Sequence, residues 1–543
     1  MYGFKTSSVL ASISQITAGN IACCEMYNYL FPQSEDADHK LVTNDMTQNL
    51  RTVAEINEKI RKKDAVILTA SEMKELVKSE GVHVAANEVD VVTTGTLGAM
   101  CSSGAVINIG HTDPPIKIDK AWINDVEICH PGAAVDLYIG ATIADPNRGF
   151  EYGGGHVIEE LIRGNEVELR ATAYGTDCYP RTRLEARITK DDLNQFYLLN
   201  FRNGYQRYNC ATNSRNETIY TYMGKLLPNY GNATFSGSGS LNPLCNDPDY
   251  ETIGLGTRIF LGGGQGYIIG EGTQHDPETG FGTIMVRGDC KKMSSEYIRG
   301  AAVSGYGTSI YVGIGVPIPI LNEGLAEKTG ITDHEIFTNV VDYGVPRRER
   351  PKLSKISYAE LKSGHIVVNE RTVKVSSLSS LKAAEKISST LKEWIENADF
   401  YLTSPVERLP QKSTLNPAKQ EAVIPFVEGL TRAAVTCTEE DTVEDVAKRI
   451  IERSVNHIIV VDSQGLLQGI VTSWDITRAV ANGVKELREI ITRKVVTALP
   501  NEPVDVAARK LSQHNISALP VVDTKWKVLG IITAEDISKL IVR

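Results

Sequence analysis

The sequence predicts an α/β protein, with a large mixed α/β N-terminal domain followed by two small repeated units of the βαββα type. The first observation is an alternation of predicted strands and helices that begins after Met46. The second is a C-terminal stretch that occurs twice, 61 residues apart. The third is a polar, proline-containing segment, residues 403–425, which is typical of a linker and separates the two parts.

The overall composition excludes several classes of protein. The chain has 543 residues, a formal net charge of −10 and nine cysteines. The negative charge argues against general nucleic-acid binding. The cysteines lack the spacing of zinc or iron–sulfur ligands, and no apolar run is long enough for a membrane helix. We therefore expect a cytoplasmic protein with free thiols, no metal, and neither nucleic acid nor membrane as a partner.

Residues 1–45 differ from the rest of the chain. They contain Cys23-Cys24 and a polar run over residues 33–40, and they do not resemble a signal peptide. We interpret them as a poorly ordered extension, or as sequence upstream of an alternative start at Met46. The predicted domains are then 46–402 and the repeated units 426–484 and 485–543.

The strands and helices of the first domain follow from local patterns. Val53 to Lys62 has its apolar residues on one helical face. Thr69 and Glu72 form a capping-box pattern that begins a second helix, and a strand is predicted from Val89 to Thr94. The apolar spacing from Leu378 to Ala398 predicts the helix that closes the domain. The region beyond Cys178 is predicted to be rich in polar loops.

The stretch around Cys178 is the strongest candidate for chemistry. In Asp177-Cys178-Tyr179-Pro180-Arg181, continued by Thr182-Arg183, a thiol lies beside two guanidinium groups and a proline that favours a turn. Positive charge favours the reactive thiolate, and arginine binds carboxylates. This segment can therefore hold a nucleophile, Cys178, and an anchor for an acidic substrate, Arg181 and Arg183. The alternative is a buried structural cysteine beside surface arginines.

Two further cysteines are candidates. Cys101 lies in a stretch of small residues between Gly98 and Gly104, which suits a tight loop that approaches a ligand. It is equally compatible with a cysteine packed under a turn. Cys129 precedes His130, but successive side chains diverge, so the adjacency alone does not make a catalytic pair.

Other motifs carry weaker signals. The glycines before His156 can begin a helix whose N-terminus points at an anion, although His156 is equally compatible with a structural role. His275 lies close to Glu271 and can do acid–base work or belong to a turn. The basic segment 346–350 is either a solvated linker or an anion clamp.

The C-terminal repeat carries a Thr–x–x–Asp motif in each copy. Thr472 and Asp475 recur as Thr533 and Asp536, each pair after an apolar strand and at the start of a predicted helix. The repeat resembles a tandem pair of CBS domains. The resemblance implies clefts that bind adenosyl ligands such as S-adenosylmethionine, AMP or ATP, with the threonine at phosphate and the aspartate at ribose. The same motifs can also serve only as helix caps in a dimerising module.

With these motifs together, residues 50–400 resemble the homocysteine biosynthesis family of methanogens and some other anaerobes. The resemblance lies in Val91 to Thr96, Met100 to Gly104, Thr176 to Arg181, Gly270 to His275 and Pro346-Arg347-Arg348. It implies transfer of sulfur to aspartate semialdehyde to form homocysteine.

The resemblance also assigns roles. It places a persulfide nucleophile on Cys178 and a second thiol on Cys101. Because the reaction consumes electrons, it implies a ferredoxin-like iron–sulfur partner, with no cofactor bound in the first domain. The CBS pair implies a homodimer.

Two alternatives belong to other functional classes. One is a CBS-regulated oxidoreductase resembling IMP dehydrogenase, which also combines a catalytic cysteine with CBS domains. The sequence shows no eight-fold alternation of strands and helices that would support this alternative. The other is a non-catalytic sensor of adenosyl ligands.

Overall fold

The computed structural model of the protein describes residues 51–128, 133–413, 415–416 and 426–541. The predictions for residues 1–45, for Cys129 and for much of the segment 403–425 lie outside these ranges. None of the helices in the described ranges is long and apolar enough to cross a membrane.

The first helices form where local sequence patterns predict them. Thr52 and Thr69 both close capping boxes, with Glu55 and Glu72, so two helices begin where the sequence places them. The elements up to the loop of Cys178 are α1 Val53–Lys62, β1 Ile67–Thr69, α2 Ala70–Glu80, α3 Val82–Glu88, β2 Val91–Thr93, β3 Thr96–Ala99, β4 Ser103–Asn108, β5 Lys120–Ile123, β6 Val126–Glu127, β7 Asp136–Gly140, β8 Ala144–Asp145, β9 Gly149–Gly153, α4 Gly154–Arg163 and β10 Val167–Thr172.

Beyond Cys178 the prediction of a loop-rich region is wrong, because this region supplies most of the strands. They are β11 Arg183–Ile188, β12 Gln195–Asn203, β13 Cys210–Thr212, β14 Ile219–Thr221, β15 Gly224–Leu226, β16 Ala233–Phe235, β17 Gly254–Leu255, β18 Arg258–Leu261, β19 Gly264–Glu271, β20 Ile284–Asp289, β21 Ile298–Val303, β22 Gly307–Gly315, β23 Pro317–Pro319, β24 Phe337–Asp342, β25 Lys352–Ser357, β26 His365–Val368, β27 Arg371–Ser377 and β28 Glu407–Arg408. Helices α5 Pro243–Asn246, α6 Glu323–Thr329, α7 Tyr358–Lys362 and α8 Leu381–Glu396 lie among them. Many of these strands pair with partners distant in sequence, so local polarity did not reveal them.

Two sheets position the candidate site. The larger has nine strands in the order β21-β22-β18-β19-β20-β12-β4-β7, with β3 paired to β22, and its pairings are antiparallel. The smaller has six strands in the order β25-β24-β13-β16-β27-β26. Each has its own apolar core. This mostly antiparallel arrangement differs from an eight-fold β/α barrel.

The Cys178 loop belongs to a third, four-stranded sheet in the order β11-β10-β5-β6. The C-terminal repeat forms two similar units, with β29 Thr436–Cys437, α9 Val443–Arg453, β30 His457–Val461, β31 Leu467–Thr472 and α10 Ser473–Ala481 in the first, and α11 Val504–Gln513, β32 Ala518–Val522, β33 Val528–Thr533 and α12 Ala534–Ile541 in the second. Mixed α/β architecture with a C-terminal repeat is therefore confirmed.

The glycines before His156 serve close packing rather than anion binding. The backbone N–H of Gly153 donates to the ring Nδ1 of His156 at 3.2 Å, which closes the N-terminus of α4. A side-chain Cβ on Gly155 would lie 2.2 Å from the carbonyl oxygen of Ser309 in β22. The expectation of an anion site here is wrong, and the structural role of His156 is the one observed.

We expect Gly155→Ala to destabilise the protein by about 1–3 kcal/mol, because overpacking at a backbone contact exceeds the gain in helix propensity. The free energy of unfolding can be compared by denaturant titration. Gly429→Ala is the control, because nothing lies within 4 Å of a Cβ at that position. Equal stability of the two variants would show that α4 can move away from β22 without cost.

Candidate active site

Two of the described cysteines are accessible. Cys178 is exposed and Cys101 is partly buried. Burial raises the pKa of the other described thiols, to about 12 for Cys210, Cys245 and Cys437 and well above its ordinary value for Cys290. Since the thiolate is the nucleophilic form of cysteine, Cys178 and Cys101 are the candidates for a reactive thiol among the described cysteines.

Cys178 lies near the tip of the loop that joins β10 to β11. Backbone hydrogen bonds in both directions between Thr176 and Tyr179, at 2.9 and 3.1 Å, close the turn that the proline predicted. The hydroxyl of Thr176 lies 3.6 Å from the sulfur of Cys178. The loop therefore presents an exposed thiol on a defined turn, and the alternative of a buried cysteine is wrong.

The two predicted arginines occupy different positions. The guanidinium of Arg181 donates to the carbonyl of Asp113 at 2.8 Å, and its backbone N–H donates to the carbonyl of Pro115 at 3.3 Å. Arg181 thus fixes the loop against residues 113–115. Arg183 begins β11 opposite Thr172 and is exposed.

Cys101 lies in the turn between β3 and β4, as its small neighbours predicted. Its sulfur is 3.2 Å from the hydroxyl oxygen of Ser309 in β22. It faces a cavity of about 300 Å³ where the nine-stranded and six-stranded sheets meet. The lining residues are Ala99, Cys101, Ser102, Arg202, Tyr205, Tyr208, Tyr222, Met223, Ser236, Gln274, Tyr306 and Leu378. Cys178 is absent from this lining, so the two thiols occupy separate environments.

Four phenol rings form one side of this cavity, and we call Tyr205, Tyr208, Tyr222 and Tyr306 the tyrosine wall. Successive rings meet edge to face, with centroids 5.1 to 6.3 Å apart. Burial raises the pKa of Tyr205 to about 12, so this phenol keeps its proton at neutral pH. The Tyr222 hydroxyl is bonded to that of Tyr343 at 2.8 Å, so the wall offers the other phenol groups and apolar ring surface to a small polar ligand.

The cavity adjoins a wider cleft of about 850 Å³ that Arg202, Gln274 and the basic segment 346–350 help to line. Arg347 stacks on Phe426, with its guanidinium carbon 3.9 Å from the ring centroid, and Arg350 stacks on Tyr343 at 4.3 Å. The basic segment thus packs on aromatic rings beside the cleft, which differs from a solvated linker.

His275 is a structural residue. Its ring is buried, with Nδ1 2.9 Å from the carbonyl oxygen of Thr283 and Nε2 2.9 Å from that of Pro410. The backbone N–H of Thr283 also approaches Nδ1, at 3.0 Å. Of the two interpretations that the sequence left open, the structural one is observed, because both ring nitrogens are occupied within the fold.

The Thr–x–x–Asp motifs of the repeat form reciprocal helix caps. The hydroxyl of Thr472 donates to the carboxylate of Asp475 at 2.6 Å, and Thr533 and Asp536 repeat the geometry at 2.6 Å. Arg432, from the start of the first unit, donates to Asp536 at 2.8 Å. Although burial acts to raise it, the bonds from Thr533 and Arg432 hold the pKa of Asp536 below its ordinary value.

Both parts of the chain are similar to known proteins. The family described as "Homocysteine biosynthesis enzyme, sulfur-incorporation" matches residues 65–402, and the CBS domain matches residues 427–482 and 487–543. An L-aspartate semialdehyde sulfurtransferase of Methanosarcina acetivorans is 53% identical over 91% of this chain and 99% of its own length. One of Methanocaldococcus jannaschii is 50% identical over 90% and 99%.

A solved CBS domain pair is also similar to the C-terminal repeat. It was determined in complex with 5′-methylthioadenosine and S-adenosyl-L-methionine. It is 43% identical and covers 22% of this chain and 98% of its own, with a TM-score of 0.22.

Proposed function

This chain belongs to the homocysteine biosynthesis enzyme family, and from that premise we propose that it is an L-aspartate semialdehyde sulfurtransferase. The observation that carries the proposal is the pair of accessible thiols, one on an exposed turn and one in a cavity that opens into a wider cleft. Two relatives with this activity in their names are at least 50% identical over nine-tenths of the chain, which supports the same substrate.

In this proposal Cys178 carries sulfur as a persulfide. Its thiol and sulfide form the Cys178 S–S bond, and a disulfide acting as the oxidant takes up the two electrons and two protons and becomes two thiols. The exposed turn supports this role, because a sulfur donor can reach the thiol directly. The two thiols occupy separate environments, so transfer between them requires the exposed Cys178 loop to bring the persulfide to Cys101. Cys101 then attacks the outer sulfur and becomes the persulfide, which releases Cys178 as a thiol without a change in redox state.

The cavity at Cys101 is then where sulfur meets the aldehyde. Reduction of the Cys101 persulfide by two electrons and two protons restores the Cys101 thiol and gives hydrogen sulfide, which adds to C4 of aspartate semialdehyde. Loss of water and a second reduction by two electrons and two protons give the thiol of homocysteine. We assign these electrons to a ferredoxin-like iron–sulfur protein, and the opening of the cavity into the wider cleft supports the step because it leaves a route by which small molecules can reach Cys101.

The decisive experiment is a labelling assay in which the protein is loaded with isotopic sulfide and a mild oxidant. We expect intact-mass spectrometry to find one added sulfur on the wild-type chain, and labelled homocysteine after aspartate semialdehyde and a low-potential reductant are supplied. Absence of any sulfur adduct would favour the non-catalytic sensor of adenosyl ligands.

We further infer that the CBS pair, as a homodimerising module, regulates the enzyme by binding an adenosyl ligand. Contacts with the first domain support coupling. Lys510 of α11 has its ammonium 4.0 Å from the carboxylate of Glu217, and Arg347 stacks on Phe426. A groove of about 350 Å³ is lined by Tyr222 and Tyr306 on one side and by Lys510 on the other. A ligand that shifts α11 can therefore act on the tyrosine wall.

We expect Asp536→Asn to weaken binding of S-adenosylmethionine by about 10-fold or more, because the ribose hydroxyls then donate to a neutral amide instead of a charged carboxylate. Isothermal titration calorimetry measures this effect. Asp505→Asn removes an exposed carboxylate from the same unit and is expected to bind as the wild type does. If none of S-adenosylmethionine, AMP and ATP binds the wild-type chain, the regulatory proposal is wrong.

A further inference from the structure

Arg202 is a partly buried cation without a carboxylate partner. No ion pair joins its guanidinium to an acidic side chain in the described ranges, and its side-chain hydrogen bond goes to the neutral amide oxygen of Gln274. Its Nε is buried without an acceptor. A buried guanidinium N–H without an acceptor costs stability, so this unpaired Nε points to an anion that Arg202 binds.

The position of Arg202 links this charge to the reactive thiol. It lines both the Cys101 cavity and the adjoining cleft, so it lies where one opens into the other. The pairing of β12 with β20 shifts register between Asn200 and Asn203, and Arg202 lies within that irregularity. Register shifts of this kind, called β-bulges, change the direction in which side chains point and are frequent beside active sites.

Two of the arginines in the adjoining cleft and one in the Cys178 loop are already engaged. The guanidinium groups of Arg347 and Arg350 stack on aromatic rings, and neither residue lines the cavity itself. In the Cys178 loop, Arg181 donates to a backbone carbonyl. Among the described residues that line the Cys101 cavity, Arg202 is the one with a positively charged side chain.

We propose that the Cys101 cavity is an amino-acid site in which Arg202 binds the α-carboxylate of the four-carbon substrate and its product. A volume of about 300 Å³ suits a ligand of that size. The guanidinium offers a two-pronged contact to the carboxylate, and the tyrosine wall offers hydroxyls to the remaining polar groups. The chain of the ligand then extends its C4 toward Cys101. This inference rests on the proposed function for the identity of the substrate, and it moves the carboxylate anchor from Arg181 and Arg183 to Arg202.

The test is calorimetric binding of L-homoserine, an unreactive analogue with the same carbon chain, to the full-length protein. We expect Arg202→Gln to weaken binding by about 10- to 100-fold, the scale of a lost charged hydrogen-bonded contact, and Arg202→Lys to weaken it less. Arg183→Gln is the matched control and is expected to bind as the wild type does. Loss of affinity in Arg183→Gln with none in Arg202→Gln would overturn the assignment.

A second ligand separates loss of recognition from loss of folding. The second ligand is L-homoserine amide, in which a neutral carboxamide replaces the α-carboxylate. The wild-type chain should bind L-homoserine more tightly than this amide, whereas Arg202→Gln should bind the two about equally. The thermal unfolding of Arg202→Gln should match that of the wild type. Absence of L-homoserine binding to the wild type at millimolar concentration would also overturn the proposal.

Sulfur loading on Cys178 requires no amino acid, so Arg202→Gln should load sulfur as the wild type does. If no variant loads sulfur, the proposed function is contradicted. The comparison of L-homoserine binding between the wild type and Arg202→Gln would still test the role of Arg202.

Discussion

Cys178→Ser is expected to lose both sulfur loading and homocysteine formation, with turnover reduced by at least about 10³-fold, the scale seen when a covalent nucleophile is removed. A serine hydroxyl fits the exposed turn but cannot form the S–S bond. The turn itself depends on backbone bonds between Thr176 and Tyr179, so the fold should be unaffected. Intact-mass spectrometry after sulfide and mild oxidant, together with steady-state assays, measures both effects.

The matched control for this variant is Tyr174→Phe. Tyr174 is an exposed ring in the same loop, packed near the ammonium of Lys117, and its hydroxyl has no part in the proposed chemistry. Sulfur loading that persists in Cys178→Ser and disappears in Cys101→Ser would reverse the roles of the two thiols.

Cys101→Ser is expected to keep the loading of sulfur on Cys178 and to lose the transfer of that sulfur to the substrate. Cys178 should still take up one sulfur, because its loop does not contribute to the Cys101 cavity. Homocysteine formation should fall by at least about 10²-fold, a loss typical for a group that takes part in the reacting step. Mass spectrometry of the loaded variant and assay of the product distinguish the two stages.

Ser309→Ala is the control for the cavity. It removes the hydroxyl that lies 3.2 Å from the Cys101 sulfur and leaves the thiol in place. A moderate loss of rate is expected. Full activity in Cys101→Ser would show that sulfur passes from Cys178 to the aldehyde without the cavity.

The sequence predicts those parts of the fold that depend on local patterns. The capping boxes at Thr69 and Thr472 each require residues only three positions apart, and the structure confirms both. The helix predicted from Leu378 to Ala398 is observed as α8, Leu381–Glu396. The repeat was detectable because two copies of one pattern reinforce each other.

The larger sheet and the cavity depend on contacts between distant residues. Strand β12 pairs with β4, and β3 pairs with β22, about 90 and 210 positions away along the chain, so no local pattern places Arg202 beside Cys101. Tyr205 and Tyr208 carried a weak signal, since clustered phenols beside polar residues are typical of binding sites. Their link to Cys101 required the structure.

The sequence left two interpretations of His275 open for a related reason. Its sequence neighbours, a carboxylate and glycines, are those of a catalytic loop as much as of a turn. The carbonyl oxygen of Pro410 that occupies its Nε2 comes from 135 residues further along the chain. Whether a histidine has a free nitrogen is decided by such distant partners.

The central claim, that sulfur travels from Cys178 into the substrate, is tested most directly in a single turnover. The protein is loaded with isotopically labelled sulfur on Cys178, freed of excess sulfide, and given aspartate semialdehyde with a low-potential reductant. We predict that the label leaves the protein and appears in homocysteine. Label retained on the protein, or homocysteine formed with unlabelled sulfur, would contradict the claim.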